Sequence, residues 1–382
     1  MMAGGGTGGH VYPGVALARE LEDAADASIC WVGTEGRVES FAVPRAGYPI
    51  EYLRVEFLKG RRGLALLGAL AGMPRALWQA LRLVGRVRPD AVVGLGGFVS
   101  GPVCLAAALR GVPVFLLEQN ATPGLTTRLN ARVARRVFAT FPESREHLPA
   151  QKVEVMGNPI RRELLVEAAR AKARRLEAAD AEPGSSAAGA AGMANGAPDD
   201  DAVVRVLVVG GSQGSLTLNE HAPRVLRELA RRGVALRVRH ASGRGRTAEV
   251  APRYEGAPFP VQVDEYIDDM AAAYADADLL ICRAGATTIS ELTALGLPAL
   301  YVPFPFAADD HQTANARSVV DAGGGWMCTD AELATDKPVA LLEEVLGDRS
   351  RLEAASQAAR TLGRPHAAAG IAERIRDLLG DR

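Results

Sequence analysis

The chemistry-bearing residues of this chain gather at glycine-rich turns. Residues 4–9 (GGGTGG) carry Thr7, Gly8 and Gly9 and run into His10. Residues 96–102 (GGFVSGP) carry Ser100, and residues 210–215 (GGSQGS) carry Ser212 and Gln213. Such turns let backbone N–H groups approach a phosphate, and the helix N-terminus that follows favours negative charge. Ser212 can add a hydroxyl donor to that cradle. An imidazole directly after the first turn titrates near neutrality and suits a general base for a sugar hydroxyl. Substrate positioning and a structural role are the two other readings of His10. A fourth unit, residues 282–316, reads as strand end, small-residue turn, helix with Glu291, strand and Pro/Phe-rich loop. It closes on Asp309, Asp310, His311, Gln312 and Asn315. A carboxylate one turn beyond a phosphate cradle suits a ribose diol, so this unit reads as a nucleotide-sugar site.

Other chemistries fit less well. The GxGxxG at 4–9 matches a dinucleotide turn, but Thr34-Glu35-Gly36 is a loose match to the acidic position that should follow the second strand. A nicotinamide or flavin cofactor is therefore not expected. No GxxxxGK[ST] occurs, which argues against a P-loop nucleotidase. Asp199-Asp200-Asp201 falls in a low-complexity stretch and reads as solvated charge. Pyrophosphate charge would then rest on backbone amides and helix dipoles rather than on a metal. His147, His221, His240 and His366 sit in ordinary helical, loop or strand-end contexts and read as structural or surface residues; His311 reads as a polar wall. Cys30, Cys104, Cys282 and Cys328 form no CxxC and read as buried, reduced thiols.

These turns need rigid elements behind them. Apolar runs at 29–32, 91–95, 112–117, 137–139 and 153–156 alternate with helical patterns. The second half restarts the same way at 203–209, 236–240, 261–263, 279–282 and 299–302. That alternation predicts an α/β protein with two doubly wound parallel sheets. Almost nothing precedes the first turn. Its strand is expected to be truncated or missing, with the natural start about five to ten residues upstream, one strand's length. Residues 182–201 (EPGSSAAGAAGMANGAPDDD) hold too little apolar bulk to offset ordering and read as a flexible insert. Residues 56–88 mix Lys59, Arg61, Arg62, Arg75, Arg82, Arg86 and Arg88 with leucines and Trp78. They fit a core-packing helix pair with a solvated basic edge, or a patch resting on anionic lipid.

The 382 residues suffice for two domains, and 48% hydrophobic with 23% charged residues is a globular, soluble composition. A formal net charge of −1 argues against general nucleic-acid binding. No apolar run reaches the ~18 residues of a transmembrane helix, and no signal peptide is evident.

Taken together, GGGTGGHVYPGVALA (4–18), GLGGFVSGP (94–102), LLEQNATPGLTTRLN (116–130), GNPIR (157–161), VLVVGGSQGS (206–215), YIDDMAAAYADADLLICRAGATTISEL (266–292) and PFPFAADDHQTANA (303–316) resemble the MurG family closely. These are the bacterial UDP-N-acetylglucosamine transferases of peptidoglycan synthesis, with a GT-B fold of two Rossmann-like domains and an interdomain cleft. The match is collinear over nearly the whole chain. It implies a Rossmann-like acceptor and membrane-associated domain over 1–162 and a linker over 163–201. A UDP-GlcNAc-binding Rossmann-like domain over 202–348 and a helical segment over 349–382 packing back across the domains would follow. The implied reaction is inverting and metal-independent. GlcNAc passes from UDP-GlcNAc, a substrate rather than a cofactor, to the muramyl 4-hydroxyl of lipid I, giving lipid II.

By the same resemblance, Thr7, Gly8, Gly9 and Asn120 line the N-domain side of the donor, and Arg161 and Ser212 hold donor phosphate or sugar. Ile267 meets uracil through its backbone. Ala286, Thr287, Thr288, Ile289, Ser290 and Glu291 cradle diphosphate and ribose, with Glu291 on the ribose hydroxyls. Gln312, with His311, contacts the GlcNAc hydroxyls. His10 is the candidate base and Glu118 its rival or orienter. The implied setting is peripheral, on the anionic cytoplasmic face of the cell membrane, with a cell-wall synthesis complex as a further partner and roles in cell shape and division. The rivals are a GT-B transferase with another glycolipid or small-molecule acceptor, a nucleotide-sugar epimerase, and a non-catalytic UDP-sugar-binding scaffold.

Overall fold

The computed structural model describes residues 1–55, 64–181, 203–211 and 213–380. Lys59, Arg61, Arg62, the expected insert and Ser212 lie outside the described residues. Two compact units emerge. One comprises Met1–Arg161, Ala308–Asn315 and Arg364–Arg382; the other comprises Arg162–Ala307 and Ala316–Gly363.

The first unit is built on seven strands: β1 (Met2–Gly4), β2 (Trp31–Gly33), β3 (Ile50–Tyr52), β4 (Val92–Gly96), β5 (Val114–Glu118), β6 (Arg136–Ala139) and β7 (Val153–Val155). All pair in parallel, in the order β3-β2-β1-β4-β5-β6-β7. β1, β2, β4 and β5 are buried throughout, as strands covered on both faces must be, which is why they read as continuous apolar or glycine runs. The first strand, expected to be truncated or missing, is present and short. β1 is only three residues long, yet it lies centrally between β2 and β4, with Met2 opposite both Trp31 and Val93. Met2 and Ala3 are fully buried, and the amino group of Met1 donates to the Ala91 carbonyl (2.9 Å). The helix after the glycines, α1 (Gly8–Ala25), begins within the turn itself, with Thr7 as its N-cap, so His10 lies in its first turn.

The second unit carries β8 (Val204–Val209), β9 (Leu236–Ala241), β10 (Val261–Asp264), β11 (Leu279–Cys282), β12 (Ala299–Tyr301) and β13 (Gly325–Met327), all parallel, in the order β10-β9-β8-β11-β12-β13. Both orders reverse direction once, between β1 and β4 and between β8 and β11. Ligands of open α/β sheets bind beyond the carboxyl ends of the strands at such a switch point.

Near the C-terminus, helix Arg349–Leu362 packs on helix Ala286–Leu295 within the second unit. Helix Ala367–Gly380 packs along α1 within the first, and Ile371, Ala372 and Ile375 join the core formed by Val15, Leu17 and Trp31. Arg374 and Arg136 both grip Glu154 and hold its carboxyl below the usual range, chiefly through the Arg374 hydrogen bonds. All four cysteines are free; Cys104, Cys282 and Cys328 are buried, and Cys30 only partly so.

Candidate functional site

In the first unit the switch point assembles two glycine-rich turns from distant sequence. Gly4, at the end of β1, pairs with Gly96, at the end of β4, across a register shift. Gly97 adopts a left-handed backbone (φ +78°), and a Cβ there would fall 2.5 Å from the Gly5 carbonyl oxygen. Only glycine lets these turns approach so closely.

His10 stands at this junction. Its Nδ1 lies 3.2 Å from the Gly5 carbonyl oxygen and 3.3 Å from Thr7 Oγ1. A carbonyl can only accept, so Nδ1 carries the proton and Nε2 keeps its lone pair. Gly96 makes room for the ring, since a Cβ there would sit 2.9 Å from Nε2. Neighbouring atoms crowd the imidazole, although part of its surface meets solvent. Desolvation is the main cause holding its pKa below the usual histidine value; the Gly5 carbonyl and Glu39 oppose it, and His311 adds to it. A histidine in that condition is neutral at physiological pH and able to accept a proton.

Glu118 ends β5 and is 3% exposed. Burial pushes its carboxyl up to about 7 against hydrogen bonds from Asn120, Thr127 and Gln119. Its Oε1 accepts the Asn120 backbone N–H (3.0 Å), which shapes the loop after the strand. Asn315 closes the same loop. Its Oδ1 accepts the Ala121 N–H (2.8 Å), and its Nδ2 donates to Asn120 Oδ1 (3.2 Å). Asn315 belongs to Ala308–Asn315, as do His311 and Gln312, so these expected donor residues group with the first unit. Asp309 and Asp310, just before them, hold left-handed backbones (φ 54° and 52°). His311 Nδ1 bonds the Ala308 carbonyl (2.7 Å). Arg161 is exposed, with its guanidinium 5.6 Å from the Tyr12 ring centroid.

In the second unit, helix Ala286–Leu295 starts beyond β11 at the other switch point. Its N-cap is Gly285, which offers no side chain to the first amides. Such amides have no intrahelical acceptor and form an anion-binding end. Thr287 Oγ1 is buried without a hydrogen-bond partner. Ala286, Ile289 and Ser290 are buried, and Ser290 Oγ bonds back to the Ala286 carbonyl (2.8 Å), so that hydroxyl braces the helix. Glu291, one turn on, accepts from the Tyr274 hydroxyl (2.9 Å). Ile267 is buried in the turn between β10 and helix Met270–Asp276, whose N-cap Asp269 accepts from Ala272 N–H. Arg283, although it borders the cradle, is committed elsewhere: it pairs with Asp330 and donates to the Val302 and Pro303 carbonyls.

Three partners of these residues have no counterpart among the sequence motifs. Glu39 sends its carboxylate into the first glycine turn, where the loose match had pointed to Glu35, which is exposed. Tyr274 orients Glu291. Asp330 neutralises Arg283. Only Glu39 left a local trace, as the acidic residue in the first turn of the helix after β2. His240 proves structural: fully buried, it contacts Tyr254 Oη (2.9 Å) and Asn219 Oδ1 (3.1 Å), and burial takes its pKa down to about 4. Among the described residues, no three His, Cys, Asp or Glu side chains are grouped as metal ligands, and no helix is long and apolar enough to cross a membrane.

Residues 1–139 match the model of the glycosyltransferase family 28 N-terminal domain, and residues 205–375 match that of the family 28 C-terminal domain. The chain is 40% identical over 380 residues to the UDP-N-acetylglucosamine--N-acetylmuramyl-(pentapeptide) pyrophosphoryl-undecaprenol N-acetylglucosamine transferase of Myxococcus xanthus, covering 99% of this chain and 92% of that one. It is 43% identical to the protein of the same name from Alkalilimnicola ehrlichii, covering 97% and 96%. The crystal structure of Acinetobacter baumannii MurG superposes with a TM-score of 0.78 at 31% identity, covering 99% of this chain and 98% of that one. With two switch-point turns of matching design and full-length relatives of one name, this chain belongs to the MurG family of glycosyltransferase family 28.

Proposed function

We propose that this protein transfers N-acetylglucosamine from UDP-N-acetylglucosamine to the 4-hydroxyl of the N-acetylmuramyl residue of lipid I, with inversion, giving lipid II and UDP. The observation that carries the chemistry is the 3.2 Å contact between His10 Nδ1 and the Gly5 carbonyl oxygen: a carbonyl can only accept, which puts the proton on Nδ1 and leaves Nε2 as a lone pair. Nε2 takes the proton from the muramyl hydroxyl as its oxygen attacks the anomeric carbon. The bond from that carbon to the β-phosphate oxygen breaks, and UDP leaves with the electron pair. Inversion requires base and leaving group on opposite faces of the sugar.

The amide end of helix Ala286–Leu295 suits the diphosphate, with Thr287 and Thr288 hydroxyls beside it. Glu291, oriented by Tyr274, receives the ribose hydroxyls, and the Ile267 backbone meets uracil. Ser212, Arg161, Gln312 and His311 complete donor recognition, and Thr7, Gly8, Gly9 and Asn120 contact the donor as well. Glu118 shapes the Asn120 loop rather than taking the proton. Charge on the departing diphosphate is met by helix amides, so turnover persists in EDTA. On helix Leu64–Val87, Trp78 and Met73 are about half exposed beside Arg75 and Arg82, and the Arg82 guanidinium lies 3.7 Å over the Trp78 ring. That mixture supports peripheral docking on an anionic membrane face.

The test is a donor-by-acceptor assay with UDP-GlcNAc and a short-chain lipid I analogue in EDTA. His10→Ala should keep donor affinity and lose about 10²- to 10⁴-fold in kcat, the usual contribution of a general base. Wild-type turnover by that variant would refute the assignment.

A further inference from the structure

We propose that Glu39 is a positioning residue for His10, acting through the single peptide group that joins Gly5 to Gly6. The Gly6 N–H donates to Glu39 Oε2 (2.8 Å), while the carbonyl of the same peptide, on Gly5, accepts from His10 Nδ1–H (3.2 Å). Carboxylate, peptide and imidazole therefore form one line of hydrogen bonds. A carboxylate at the N–H end draws the peptide's electrons towards the carbonyl oxygen and makes it a better acceptor, as in other polarised hydrogen-bond chains. This fixes the imidazole in the tautomer that leaves Nε2 bare and strengthens Nε2 as a base. A carboxylate bonded directly to the second ring nitrogen does the same in many histidine sites; here a peptide unit stands between them. The inference rests on the reading of His10 as the base.

The surroundings of Glu39 fit a built device. Its carboxylate is fully buried, and its other oxygen, Oε1, accepts the Thr34 N–H (3.0 Å). Two glycines clear its path. A Cβ on Gly5 would fall 2.2 Å from Oε1, and one on Gly33 would fall 2.6 Å from the Glu39 Cγ. Glu39 enters from α2 (Val38–Arg45), so neither the turn nor α1 supplies the charge. The arrangement also gives the first glycine turn a use other than holding phosphate, since its Gly6 amide is already bonded to a protein carboxylate. The charged or titratable groups that act on the ring are Glu39, which raises its basicity, and His311, which lowers it.

The experiment compares Glu39→Gln with wild type and with His10→Ala, using UDP-GlcNAc and a short-chain lipid I analogue. Glu39→Gln keeps the shape and removes the charge. The expected result is a kcat about 10- to 100-fold lower, by analogy with the range for outer partners of metal-ligating histidines. KM for UDP-GlcNAc should be unchanged, and the acid limb of the pH–rate profile should move to lower pH. In the His10→Ala background, Glu39→Gln should lower kcat no further. A pH profile identical to wild type, or full additivity with His10→Ala, would overturn the role of Glu39 while leaving His10 as the base. Wild-type turnover by His10→Ala would instead remove the base reading itself. Should Glu39→Gln fail to fold, ¹⁵N NMR of the wild-type imidazole decides. The Nδ1–H tautomer at neutral pH supports the proposal, and an Nε2–H tautomer overturns it.

Discussion

Replacing Glu118 by glutamine should make the first unit more stable at high pH and leave it nearly unchanged at low pH. The carboxyl is 3% exposed, and burial lifts its pKa from 4.5 to about 7. Below about pH 4.5 the group is protonated both folded and unfolded and has no linkage effect. As pH rises from there to about 7, the unfolded chain releases the proton while the folded one retains it, so stability falls. Above 7 the loss is complete. A difference of about 2.5 units at about 1.36 kcal/mol per unit is about 3 kcal/mol. The glutamine side chain cannot ionise, and its carbonyl oxygen can still accept the Asn120 N–H. Any change in hydrogen bonding adds an offset of about 1 kcal/mol that does not vary with pH.

The assay is denaturant unfolding at pH 5 and pH 8 by tryptophan fluorescence, in a Trp326→Phe background so that the signal comes from Trp31 and Trp78 of the first unit. The advantage of Glu118→Gln should grow by about 3 kcal/mol between the two conditions. An equal difference at both would refute the reasoning. The same residue separates the two candidate bases. With His10 as base, the acid limb of kcat/KM lies below 6.5 and Glu118→Gln retains turnover; with Glu118 as base, the limb lies near 7 and turnover is lost.

Gly97→Ala forces an alanine into a left-handed backbone with its Cβ 2.5 Å from the Gly5 carbonyl. It should cost about 2 kcal/mol or more, and a melting temperature equal to wild type would contradict the close approach of the two turns. Asn315→Ala removes the acceptor of the Ala121 N–H, a bond buried in the structure. Leaving that donor unpaired should cost about 1–3 kcal/mol in chemical denaturation, and a loss under about 0.5 kcal/mol would show that the loop is held by something else. The second unit should weaken in acid, because the unfolded chain protonates His240 near 6.5 while the folded site resists until about 4. That loss, about 3 kcal/mol between pH 6.5 and 4, should shrink in a His240→Gln variant; an unchanged acid response would exclude His240 as its source.

Contiguous residues determined much of this protein. Apolar runs alternating with helical patterns specified two parallel sheets, because strands covered on both faces must be apolar throughout. The glycine turns, Glu291 six residues beyond Gly285 and His10 after the first turn were legible because each is a short-range pattern. The first strand left little trace, since three residues show no pattern, and β1 is recognisable only from its pairing with β2 and β4. The folded structure alone decided which long-range partner each polar group found. Glu39 reaches Gly6 across 33 positions, and Asn315 reaches Ala121 across 194. Arg283 turns away to Asp330, 47 residues on. Hydrogen bonds carry no sequence period. A buried carboxylate or amide is committed to whichever backbone group the crossing elements bring within reach, and that depends on how the sheet stacks its turns at the switch point.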